Sequence, residues 1–117
     1  MRLLVASALI TFSASCMAFN TGKDLVIAGV MYDAWRSAGK PMDGSNASYQ
    51  AMMYMMYVNG AAGALHSTRE ICIPSGTTMY SIDDAALEYF DRNATRVKTM
   101  SGALAVTSAL KETYQCN

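Results

Sequence analysis

Apolar residues return at steps of three and four through residues 21–38, where Ile27, Val30, Met31, Ala34 and Trp35 fall on one side. This spacing predicts an amphipathic helix. Thr21 and Asp24 stand in the Thr-x-x-Asp arrangement that caps a helix start, and Gly39 and Pro41 end the run. After a polar loop, Ser45 or Ser48 can cap a second helix over residues 49–67, which is apolar on nearly every side and so belongs in the middle of a bundle. Met52, Met53, Met55 and Met56 cluster in it and read as core filling rather than as a plastic binding surface.

Beyond a loop over residues 66–80, Ser81 and Asp84 repeat the capping arrangement. Ile82, Ala85, Ala86, Tyr89 and Phe90 make one stripe there, opposite Asp83, Asp84, Glu88 and Asp91, which predicts a helix over 81–92 with a solvated acidic face. Thr95 can begin a last helix that runs to Tyr114, with Ala103, Val106, Leu110 and Tyr114 inward, and carries Cys116 back toward the loop. No alternating run is long enough for a sheet, and no repeat interrupts the pattern. The expected fold is all-α, a small helical bundle of about four helices pinned by one disulfide.

The first eighteen residues do not fit that pattern: one Arg, an apolar run from Leu3 to Phe12, then small residues ending at Ala18. A membrane-spanning helix needs roughly 18 or more apolar residues, so this run reads as a secretory signal peptide, residues 1–18, cut after Ala18. The alternative is a lipoprotein anchored through Cys16, although Ser13 occupies the position where lipoprotein signals usually carry Leu. Residues 19–117 then form one exported domain. Loss of the leader takes Cys16 with it and reduces three cysteines to two, which in an oxidising compartment predicts a Cys72–Cys116 bridge. The bridge closes a loop worth roughly 4 kcal/mol in the chain-entropy model. For a domain of this size that is a large share of total stability.

Without Arg2 the charged groups number eight basic against nine acidic, a net of −1 with no run of either sign, so a nucleic-acid partner is not expected. Cys72 and His66 could be paired as nucleophile and base, but a bridged Cys72 has no thiolate to offer. His66 is the sole histidine, so neither a metal nor another cofactor is expected. It and the nine acidic groups give scope for a pH response, yet no pattern in the sequence shows one. What stands out is the loop. His66, Arg69, Glu70, Ile71, Ile73, Pro74 and Ser75 mix charged and apolar groups on a segment fixed by the bridge and stiffened by Pro, which suits a preorganised protein-binding element.

Four stretches taken in order carry a likeness: "FNTGKDL" after the leader, "YMMYVNGAAGAL" in the second helix, "CIPSGTT" in the loop, and "YFDRNATRVKTMSGALAVTSALKETYQC" at the end. Their chief elements are Phe-x-Thr-Gly at 19–22, Tyr-Val-x-Gly at 57–60, Cys-x-Pro at 72–74 and Ala-Leu-x-x-x-Tyr-x-Cys at 109–116. Together they resemble the Rap/Tai immunity proteins, periplasmic partners of type VI secretion amidase effectors. The resemblance implies an all-helical fold, a homodimer, and a non-catalytic role: binding and occluding a peptidoglycan amidase so that the producing cell survives. Many members carry a further cysteine pair, and in this chain the corresponding regions, "VIAGVMYDAW" and "MMYMM", have none. The alternative function is a small periplasmic chaperone or stress protein with no toxin partner.

Overall fold

The computed structural model describes residues 19–117, so the expected leader and Cys16 lie outside the described part. The fold is all-α: α1 (Gly22–Ser37), α2 (Asn46–Ser67), α3 (Met79–Arg92), the single turn α4 (Ala94–Val97) and α5 (Gly102–Thr113). Each of the four longer helices begins at a hydroxyl that accepts a backbone N–H three residues on: Thr21, Ser45, Thr78 and Ser101, at 3.1 to 3.2 Å. Such caps satisfy amide groups that the helix itself leaves unpaired. Of the two candidate caps for α2, Ser45 serves and Ser48 is buried in the first turn. α3 starts two residues earlier than expected. Thr78 has the extended backbone of a cap, so Ser81 becomes an ordinary first-turn residue whose hydroxyl meets that of Thr78 at 2.8 Å.

The last helix is broken where one continuous helix was expected. The Met100 carbonyl leaves the helical path to accept the Gly22 N–H at 2.8 Å, and the Gly102 N–H donates to the Asn20 carbonyl at 3.2 Å. These reciprocal bonds form an isolated antiparallel bridge between Thr21 and Ser101. Both glycines are required by closeness alone. A Cβ on Gly22 would stand 1.9 Å from the Val97 carbonyl oxygen, and one on Gly102 would stand 1.8 Å from that of Phe19. The starts of α1 and α5 therefore meet backbone to backbone.

Leu25, Tyr32, Tyr54, Val58, Phe90, Val97, Val106 and Leu110 form the centre of the core. In α1 the buried face is Leu25, Ala28, Gly29, Tyr32 and Trp35; of the expected stripe only Trp35 is buried, while Ile27 and Val30 are 51% and 57% exposed. Gly29 decides the matter. A Cβ there would lie 2.9 Å from Leu87 and 3.3 Å from Tyr54, so α1 approaches α2 and α3 on its small-residue side. Tyr32 then stacks on Tyr54 at 4.9 Å between centroids. α5 buries Ala105, Val106, Ala109 and Leu110, with Tyr114 after it, and Ala103 faces outward, contrary to expectation. α3 follows its predicted stripe, except that Asp83, placed on the solvated face, is fully buried. The methionines are not core filling: Met52 and Met56 are exposed and Met55 only packs against the core's edge.

Candidate partner-binding loop

The loop after α2 is held by a backbone N–H bond at every residue from Arg69 to Ile73. The Arg69 N–H donates to the His66 carbonyl at 3.1 Å and the Glu70 N–H to that of Leu65 at 2.9 Å, the paired bonds of a Schellman helix end. The residue at the turn of such a motif is usually glycine; this chain has Arg69, at a φ of 61°. Ile71, expected to face a partner, is fully buried, because the sharp turn at Arg69 aims it back into the core. The Cys72 N–H donates to the Tyr114 carbonyl at 2.8 Å, and its sulfur is joined to Cys116 with the Cα atoms 4.9 Å apart. One residue further, the Ile73 N–H donates to His66 Nδ1 at 3.2 Å. Pro74 then starts a turn closed by the Thr77 N–H and hydroxyl on its carbonyl, at 3.2 and 2.7 Å, with Gly76 at a φ of 85°.

This backbone presents His66, Arg69, Glu70, Pro74 and Ser75 outward together, with Ile73 half-buried beside them. Of the seven residues expected to meet a partner, Ile71 alone is turned inward. Arg69 has no ion-pair partner among the described residues, where the salt bridges are Arg36–Asp84, Arg92–Glu88 and Arg92–Glu112. The Cys72 thiol that a Cys72–His66 pair would need is consumed in the bridge. Among the described residues no group of His, Cys, Asp and Glu could hold a metal ion, and no helix is long and apolar enough to cross a membrane.

Two further surfaces flank the bundle. Between α2 and α5 runs an apolar groove of about 590 Å³, lined on the α2 side from Met53 and Met56 through Ala61 to Leu65 and on the α5 side by Ala103, Val106 and Thr107. The Phe19 ring meets Tyr57 edge-on at 5.3 Å. Between α1 and α3 lies a polar groove of about 410 Å³ lined by Asp33, Arg36, Asp84, Glu88 and Asp91. Arg36 pairs there with Asp84, and the Tyr32 hydroxyl donates to Asp84 Oδ1 at 3.0 Å. Arg36 and Lys40 lie over the Tyr80 ring, 4.8 and 4.3 Å from its centre, which packs the end of α1 on the start of α3.

The sequence reading also missed a buried polar contact inside the bundle. Asn59 Nδ2 donates to Asp83 Oδ1 at 2.6 Å, and the Tyr54 hydroxyl donates to the Asp83 carbonyl at 2.8 Å. Burial is the main cause that pushes the Asp83 carboxyl up to about 7, with the neighbouring Asp84 charge adding to it and the Asn59 bond opposing. Burial likewise raises the Tyr54 hydroxyl, which keeps it a donor.

Residues 21–116 match the family described as Rap1a immunity proteins. The chain belongs to that family. As a Rap1a immunity protein it has a role in protection against a partner protein, and the structure accounts for the stretches that carry the likeness. In Phe-x-Thr-Gly, Thr21 caps α1 and Gly22 admits the Val97 carbonyl. In Tyr-Val-x-Gly, Val58 is core and Asn59 holds Asp83, while Cys-x-Pro and the final Tyr-x-Cys tie the loop to the C-terminus. No curated protein and no solved structure matches the chain.

Proposed function

We propose that this Rap1a immunity protein is exported to the periplasm, where it binds a type VI secretion peptidoglycan amidase and occludes its cleft without catalysing a reaction of its own. The observation that carries the reading is the anchored loop: its backbone is fixed on both sides of an outward face, so docking costs it little conformational entropy. Ile73 and Pro74 supply shape, and His66, Arg69, Glu70 and Ser75 supply polar contacts. Arginine is over-represented among binding hot spots, and Arg69 has no competing ion pair among the described residues; its loss costs the complex about 2 kcal/mol. We further read the protein as a homodimer, since the apolar α2–α5 groove lies open beside exposed Met52, Met56 and Leu104. Residues 1–18 act as the leader in this reading, with lipidation at Cys16 as the alternative.

The test is growth of a bacterial host that exports the amidase encoded beside this gene. Co-expression of the full chain restores growth, and a form lacking residues 1–18 does not. Lysis in spite of the full chain refutes the immunity assignment to that amidase. Rescue by the leaderless form refutes the location.

A further inference from the structure

Asp83 takes no part in the proposed partner contact, yet it is the one acidic residue with no exposed surface. Among the described residues its Oδ1 accepts a single neutral donor, Asn59 of α2, at 2.6 Å, and its Oδ2 has no hydrogen-bond partner. The groups around it come from every side of the bundle. On α3 the neighbouring Asp84 is anionic; from α1 come Arg36 and the Tyr32 hydroxyl; from α2 the Tyr54 hydroxyl; and after α5 the Tyr114 hydroxyl. The only cation among them, Arg36, is engaged by Asp84 and by the Tyr32 oxygen. Tyr54 is engaged by the Asp83 carbonyl and Tyr32 by Asp84. A carboxylate in this site therefore faces one neutral donor and an anion, and its second oxygen accepts from no described residue. The neutral acid fits far better.

We propose that Asp83 is a proton-operated latch between α2 and α3: it holds a proton in mildly acidic surroundings, and giving that proton up weakens the α2–α3 contact and the bundle with it. The native carboxyl is pushed up to about 7, against 3.8 for an ordinary aspartate, mainly by burial. Between those values the folded protein binds the proton and the unfolded chain does not, so stability falls as pH rises from about 4 to about 7. Above about 7 the group is ionised in both states and its penalty stays constant.

Two measurements decide it, both on the protein with its bridge intact. The first follows the Asp83 carboxyl carbon by NMR in the wild type and needs no variant. A midpoint near 7 is expected, and an ordinary midpoint near 4 overturns the proposal. The second compares the unfolding constants of wild type and Asp83→Asn at pH 5 and pH 8. Their ratio is expected to rise roughly a hundredfold between the two, the integral of tenfold per pH unit across the window. A ratio that does not change with pH overturns the latch even where Asp83→Asn alters stability.

Discussion

At the residue scale, two glycines set the geometry on which the bundle closes. The carbonyls of Val97 and Phe19 lie where a Cβ on Gly22 or Gly102 would stand, and both contacts are with backbone, which cannot turn aside. We expect Gly22→Ala and Gly102→Ala each to lose about 3 kcal/mol, the upper end of ordinary overpacking, because relief requires α1 and α5 to separate. Gly63 is the control. Nothing lies within 4 Å of a Cβ there, so Gly63→Ala is expected to gain about 0.5–1 kcal/mol from helix propensity alone. Urea unfolding of the three variants checks both signs. Arg69 is the opposite case, a bulky residue kept at a positive φ where glycine has no strain, and its outward side chain makes no ion pair among the described residues.

At the element scale, the bridge ties the two segments that have least helix to hold them. Without it the loop after Ile71 and the tail after Tyr114 keep one backbone bond between them, that from the Cys72 N–H to the Tyr114 carbonyl. Replacing both cysteines by serine is expected to cost about 2–5 kcal/mol, and calorimetry of that double variant tests it. The elements also show what could be read from sequence and what could not. α3 was legible because acidic residues define its outer face, whereas α1 carries apolar residues on two sides, Ile27 and Val30 on one and Leu25 and Tyr32 on the other, and the close approach of Gly29 to Tyr54 and Leu87 chose the side that packs. The break before α5 depends on Gly22, nearly eighty positions earlier, which no local periodicity can report. Asp83 looked like one more member of an acidic face because a helical wheel gives no account of how far a second helix wraps around. The Thr21 cap was legible because residue type and spacing alone set it, and the bridge because the expected loss of Cys16 with the leader leaves two cysteines to pair.

At the scale of the whole molecule, the α2–α5 groove ends at Leu65, next to His66 of the anchored loop, and the amidase is expected on the loop and a second copy in the groove. The groove is lined without a charged side chain, so a second copy meets it with no like-charge contact. Light scattering at micromolar concentration is expected to report a dimer, and Ala64→Arg, which puts a charge in the lining of the groove, is expected to yield a folded monomer. A wild-type monomer refutes the assembly. The effector claim is tested most directly by the affinity of the purified protein for the amidase encoded beside its gene, for wild type, for Arg69→Ala with Glu70→Ala, and for Asp33→Ala with Glu88→Ala. Each variant is first shown to fold by circular dichroism. The account predicts that the loop pair loses at least about thirtyfold in affinity, the equivalent of about 2 kcal/mol, while the pair in the polar groove binds as wild type does. Wild-type affinity in the loop pair with loss in the groove pair would place the amidase on the α1–α3 face and contradict the account.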